Sequence, residues 1–316
     1  MKYRRLGSSG VKVSTVALGS WLTFGHAVDE DKTRRCVERA FELGINFIDT
    51  ADVYALGACE TVLGRVLEGK RRSDYVLATK VFFPMGDGPN DAGLSRKHII
   101  ESIEASCRRL RTDYVDLYQC HRHDPEVDVA EVVRTMNDLI RRGRILYWGV
   151  SMWPAARIME AVSLARAEHL EPPVTNQPVY NLLQREIETE VLPVSDELGV
   201  GQIVYSPLAQ GLLTGKYRGG RVPDDSRAAD PRSNHFMKRR MTPENFERID
   251  RLEGLAKELD TSLARLSLAF CLRHEGVDAV IVGATRPDQL TDNAGAVDIH
   301  LDAEVLQRID AILLED

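Results

Sequence analysis

Cysteine is sparse in this chain and never paired in sequence. Its five copies (Cys36, Cys59, Cys107, Cys120 and Cys271) are scattered, with no C-x-x-C among them. That spacing argues against a zinc module or a disulfide scaffold and suits a reducing cytosol. A surplus of positive charge is also missing. The net charge of −7 disfavours nucleic acid or an anionic membrane as partner, because both need a basic surface. A small anionic ligand stays admissible, since local charge can oppose the total. No apolar run approaches the length of a membrane span. The start, Met1-Lys2-Tyr3-Arg4-Arg5, has arginines but no apolar stretch behind them, so no signal peptide is expected. Internal repeats, low-complexity tracts and composition shifts are absent. The expectation is a single cytoplasmic domain over residues 1–316.

What is present is alternation. A hairpin is expected over Tyr3–Leu6 and Val11–Val13, turning at Gly7-Ser8-Ser9-Gly10. Eight apolar, β-branched runs follow, at residues 16–19, 45–49, 75–80, 115–120, 145–150, 174–177, 202–205 and 279–282. Stretches of helical spacing separate nearly all of them, such as Asp29–Leu43, Cys59–Leu67, Arg96–Leu110, Val129–Arg142, Ala155–His169 and Glu186–Leu198. Strict alternation predicts a parallel sheet with helices outside, and eight units predict a closed (β/α)8 TIM barrel. An open doubly wound sheet would carry a glycine-rich dinucleotide turn after its first strand. Leu18-Gly19-Ser20-Trp21-Leu22 lacks it. Two additions stand out: a polar insertion from Gly215 to Thr242, expected to act as a lid or binding loop, and an extra amphipathic helix at Glu304–Leu314.

In such a barrel the active site lies where the strands end. The second strand ends at Asp49, with Tyr54 in the loop beyond; the third ends at Lys80; the fourth runs into His121. Alone, the Asp49–Tyr54 stretch reads equally well as a strand cap with a surface tyrosine, Lys80 more often as a solvated strand end, and His121 as a satisfied polar histidine. Charges at three consecutive strand ends converge on one pocket. An ammonium beside a phenol is expected to lower its pKa from about 10, and a carboxylate to hold that ammonium charged. Asp49, Lys80 and Tyr54 would then form a general acid for carbonyl reduction, with His121 orienting the carbonyl. His121 and His123 could also face a metal, but such a site needs further ligands at other strand ends, so no metal is expected.

The segments Gly44–Tyr54, Ala78-Thr79-Lys80, Leu117–His121, Gly149-Val150-Ser151, Thr175-Asn176-Gln177 and Tyr205–Tyr217 resemble the aldo-keto reductase superfamily. The long insertion and YSPLAQGLLTGKY are most similar to the branch containing the potassium-channel β subunits and their bacterial relatives. The resemblance implies Asp49, Tyr54, Lys80 and His121 as a catalytic tetrad, Tyr54 giving the proton. It implies NADPH bound in extended form, near Ser20, Trp21 and Asp49. Ser151 and Gln177 would take the carboxamide and Tyr205 would stack on the nicotinamide. Ser206, Pro207, Leu208, Gln210 and Gly211, with Lys216, would embrace the pyrophosphate. Gly283, Thr285, Arg286, Gln289, Asp292 and Asn293 would hold the adenosine end. Trp21, Tyr54, Phe82, His121 and Trp153 would wall the pocket for a small carbonyl substrate.

Two positions depart from the family pattern. Met152 stands where many members have an asparagine reaching the carboxamide. Gln289 stands where an arginine often meets the 2′-phosphate, a role Arg286 is suited to take. NADPH is therefore expected, with NADH use admissible. Retention of His121, where some channel-subunit-like members differ, favours turnover over a role as a nucleotide-sensing partner subunit.

Overall fold

Strands that are covered on both faces must be apolar on both, which is how these strands read. The computed structural model describes residues 1–25, 28–217, 221–224, 226–230 and 234–314. β1 (Tyr3–Arg5) and β2 (Lys12–Ser14) form an antiparallel hairpin. Next come β3 (Val16–Gly19), α1 (Glu30–Glu42), β4 (Phe47–Asp49), α2 (Ala58–Val66), β5 (Val76–Val81) and α3 (Arg96–Leu110). Then follow β6 (Val115–Cys120), α4 (Val129–Arg141), β7 (Ile145–Ser151), α5 (Ala155–Ala167), β8 (Thr175–Gln177), α6 (Val191–Leu198) and β9 (Gly201–Tyr205). The last elements are α7 (His235–Lys238), α8 (Pro243–Glu258), α9 (Leu263–Leu272), β10 (Val277–Gly283), α10 (Pro287–Ala294) and α11 (Ala303–Leu314). Strands β3 to β10 pair in parallel and close on themselves through β10 and β3. The fold is a (β/α)8 barrel with an N-terminal hairpin.

The period of two along each strand divides the core. One face of the strands packs under the helices, with Leu18, Ile48, Leu77, Tyr118 and Val204 in the larger apolar cluster. The other face fills the bore with Ala17, Phe47, Val76, Ala78, Leu117, Ile203 and Ala279. Leu6 and Val13 of the hairpin join that inner cluster and close the bottom of the barrel. Two residues further along the same inner face, Phe47 gives way to Asp49, Ala78 to Lys80 and Leu117 to Gln119. The barrel is thus apolar below and polar at its upper rim.

Three differences from the sequence expectations have local causes. The expected helix Glu186–Leu198 is a short turn, Glu186–Glu188, followed by α6. Pro193 lacks the N–H that a helix interior requires and is accommodated only in a first turn, so α6 starts just ahead of it. The helix expected to reach His169 stops at Ala167, and His169 turns left-handed at φ 55°. Periodicity does not single out α8, α9 and α10. α8 and α9 are capped by Thr242 and Ser262, whose hydroxyls accept from Asn245 N and Arg265 N.

Candidate active site

The tetrad begins with backbone. Beyond the strand ends the ladder continues: Ser20 N donates to Asp49 O, Thr50 N to Ala78 O, and His121 N to Val81 O. Loop residues are therefore held as firmly as strand residues. Tyr54 opens a tight turn in which Ala55, Leu56 and Gly57 all have positive φ, at 49°, 49° and 86°. Two non-glycine residues there carry strain, as often found where a loop must aim a side chain.

Lys80 has no exposed surface, and its ammonium has three N–H groups to satisfy. Its Nζ donates to Asp49 Oδ1 at 2.6 Å, Thr50 O at 2.7 Å and Tyr54 Oη at 3.2 Å. All three protons are accounted for. Because the Tyr54 oxygen accepts from Lys80, its own proton is free to point elsewhere. Asp49 Oδ2 accepts from Gln177 Nε2 at 2.9 Å and from Gln119 Nε2 at 3.4 Å. A buried charge pair is tolerable when its remaining hydrogen-bonding capacity is met in this way.

Burial decides the protonation states. It pushes the Tyr54 phenol well above its usual value, and the Asp49 carboxylate adds to that push. The shift runs opposite to the lowering expected from Lys80, and Tyr54 is held protonated. Burial lowers Lys80, while Asp49 pulls it back up. His121 is driven well below the ordinary imidazole value by burial, then by Lys80 and Arg122, and is neutral at pH 7. Among the described residues its buried Nδ1 has no hydrogen-bond partner. A bare ring nitrogen is cheaper to leave so than an N–H, which assigns the proton to Nε2.

Aromatic rings surround this centre. The Trp21 ring lies 6.4 Å from Tyr54 and 6.4 Å from Tyr205, and Tyr54 meets His121 edge-on at 5.8 Å. Phe83, which no sequence signal singles out, packs on His121 at 4.9 Å, whereas the expected Phe82 is partly buried against the core under the helices. Trp153 is buried and stands 5.1 Å from His123.

The expected cofactor residues fall in three groups. Ser20 Oγ donates to Thr50 Oγ1 at 2.9 Å and Ser151 Oγ to Gln177 O at 2.9 Å, both beside the tetrad. Ser206, Pro207, Leu208, Gln210 and Gly211 follow β9 in a loop where Ser206, Ala209, Gln210 and Gly211 have φ of 53°, 46°, 61° and 102°. Gln210 Nε2 donates to Ser206 Oγ, and Lys216 flanks Gly211, its Cε 3.3 Å from where a Cβ would stand. Gly283 ends β10. Beyond it Thr285 N and Arg286 N donate to Gln289 Oε1 at 2.8 and 3.3 Å, shaping the entry to α10. Asp292 accepts from Ser262 Oγ and pairs with Arg265 at 2.8 Å; Asn293 is buried; Arg286 is exposed beside Asp288.

One further residue joins the second group. Arg227, from the long insertion, is partly buried and donates to Gln210 Oε1. Burial lowers its pKa. Among the described residues no carboxylate ion-pairs with it. A desolvated, unpaired guanidinium against a strained polar loop suits an anion, as a pyrophosphate is. Composition gives one signal, arginine in a polar insertion, but nothing to separate Arg227 from its neighbours. Within the expected lid, residues 218–220, 225 and 231–233 lie outside the described residues; Met237 of α7 is buried. Among the described residues no cluster of three His, Cys, Asp or Glu side chains could hold a metal.

A closed parallel barrel with a buried acid–base centre at the carboxyl ends of its strands defines an enzyme-like barrel. The chain belongs to the aldo/keto reductase family, whose sequence profile matches residues 15–314. Members generally bind NAD(P)H and act on small carbonyl substrates. The chain is similar to a "probable voltage-gated potassium channel subunit beta" from Oryza sativa subsp. japonica, 42% identical over 318 residues, covering 99% of this chain and 97% of that protein. A protein of the same description from Arabidopsis thaliana is 42% identical with the same coverage.

Proposed function

We propose that this protein reduces an aldehyde or ketone to the alcohol with NADPH, Tyr54 supplying the proton. The observation that carries this reading is the donor count at Lys80, which leaves the Tyr54 hydroxyl as an unspent, protonated donor at the pocket. When bound, the reduced nicotinamide supplies a hydride to the carbonyl carbon. Tyr54 protonates the carbonyl oxygen, and the charge left on the phenolate is stabilised by Lys80 at 3.2 Å. Neutral His121 donates from Nε2 to the same oxygen, holding it in line and meeting negative charge as it develops. Trp21 and Phe83 exclude water from the reacting atoms. Tyr205, Ser151 and Gln177 would hold the nicotinamide; Ser206–Gly211, Lys216 and Arg227 the pyrophosphate; Gly283–Arg286, Gln289, Asp292 and Asn293 the adenosine end.

The insertion carrying Arg227 would close over the bound nucleotide. Cytoplasmic residence agrees with five free, buried thiols. Among the described residues no helix is long and apolar enough to cross a membrane. The names of the two relatives favour a second reading, a nucleotide-binding subunit of a membrane partner. A complete acid–base centre weighs for turnover.

The test is NADPH consumption with an aromatic aldehyde or an α-dicarbonyl, compared with NADH. Turnover is expected in the wild type. Tyr54→Phe should lower kcat by about 10²- to 10⁴-fold, the range for general acid catalysis, with nucleotide binding retained. Nucleotide binding without turnover on any carbonyl would leave the subunit reading.

A further inference from the structure

Arg122 follows His121 directly and reaches back over the same site. Its Nη1 donates to the His121 carbonyl at 2.5 Å. Its guanidinium carbon lies 5.3 Å from the centre of the Phe83 ring, which itself packs on His121. Across the pocket its charge is felt by the Tyr205 phenol. One half-buried guanidinium thus touches His121 and Phe83 and faces Tyr205.

Several other half-buried arginines are neutralised, although among the described residues Arg227 and Arg4 are not. Arg72 holds Asp116, Arg109 holds Glu60, Arg185 holds Glu188 and Asp310, and Arg273 holds Glu188. Among the described residues no carboxylate ion-pairs with Arg122. Its charge is felt instead by the reacting groups: it opposes protonation of His121 and Lys80 and favours the anionic forms of Tyr54 and Tyr205. Arg240 adds to the same field at Tyr205. This positive pocket mouth sits in a chain of net charge −7, so it is not a by-product of overall composition. A guanidinium has five N–H donors in a planar fork, and among the described residues one hydrogen bond, to the His121 carbonyl, leaves donors for a carboxylate.

Resting on the carbonyl-reductase reading, we propose that Arg122 selects the substrate: the site prefers carbonyl compounds that bear a carboxylate beyond the reacting carbonyl. A planar guanidinium fork matches the two oxygens of one carboxylate.

The experiment compares 4-carboxybenzaldehyde with 4-carbamoylbenzaldehyde, which has the same shape without the charge. In parallel, calorimetry of the nucleotide-bound protein compares benzoate with benzamide. The wild type should prefer the charged member of each pair by about 10-fold or more, the range of a charge-assisted hydrogen bond. Arg122→Gln should bring both ratios close to one, chiefly through KM, and Arg122→Lys should restore part of them. Equal handling of both members by the wild type, or ratios unchanged in Arg122→Gln, overturns the proposal. So does a variant that weakens NADPH binding while keeping the ratios, which would assign the guanidinium to the nucleotide. If neither aldehyde turns over yet benzoate discrimination depends on Arg122, the anion site stands and the reductase reading falls.

Discussion

Gln177 reaches across the bore to Asp49, its Nε2 donating to Oδ2 at 2.9 Å. The two strands that carry them, β8 and β4, are on opposite sides of the ring. A single hydrogen bond therefore spans the barrel, and with Lys80 it fixes both carboxylate oxygens. The acid–base centre is braced from the far wall as well as from its own strands.

Replacing Gln177 by leucine removes that brace and leaves one buried carboxylate oxygen with only the longer Gln119 contact. Stability should fall by about 1–3 kcal/mol, the cost of stranding a buried polar group. Denaturant unfolding measures it. Carbonyl reduction should fall with it, because Lys80 loses its fixed counter-charge.

Arg227 is the cation that the insertion brings to the loop after β9. Arg227→Ala should weaken NADPH binding by about 10- to 100-fold, the span expected for a charge-assisted contact. Fluorescence titration reads the dissociation constant, and kcat at saturating nucleotide should change far less than KM for the nucleotide.

Asp52 is buried beneath the site, accepting from Ser102 Oγ at 2.7 Å and Val53 N at 2.6 Å. Burial raises its carboxyl from 3.8 to about 7, with the charge of Glu60 adding to the shift. Because the folded value lies above the unfolded one, the fold favours the protonated acid. That contribution is fully present below about pH 4 and is lost as pH rises through about 7. A shift of this size corresponds to roughly 4 kcal/mol at most. Asp52→Asn cannot ionise; its oxygen can still accept from Val53 N while its amide NH2 donates to the Ser102 hydroxyl. The variant should lose less stability than the wild type between pH 5 and pH 8, as urea unfolding at the two pH values would show.

Gly64 lets α2 and α3 approach closely. A Cβ there would run into Arg109 O and stand 2.8 Å from the Leu110 carbonyl carbon, both backbone atoms that cannot swing aside. Gly64→Ala should destabilise the protein by about 1–3 kcal/mol as an overpacked contact. Its thermal midpoint should drop while the kcat of folded molecules is kept.

Asp49, Lys80 and His121 are legible in the sequence because each closes an apolar run, and the ends of neighbouring barrel strands share one rim. Tyr54 is legible because it follows Asp49 at loop distance. Gln119 is not, since an amide inside the strand Val115–Cys120 is indistinguishable in sequence from one facing the helices. The direction of the phenol shift is hidden too, because sequence names the neighbouring charges but not the water removed from around them. Phe82 and Phe83 are adjacent, so a one-residue choice of face decides which ring meets His121. Arg227 depends on a long chain reversal that no local pattern encodes.

The hairpin that stoppers the bore with Leu6 and Val13 has a practical corollary. The chain's first strands and its reacting groups lie at opposite poles of the molecule. A fluorophore, a surface tether or a fused domain attached ahead of Tyr3 would hang below the plug, leaving the entrance used by nucleotide and substrate unobstructed.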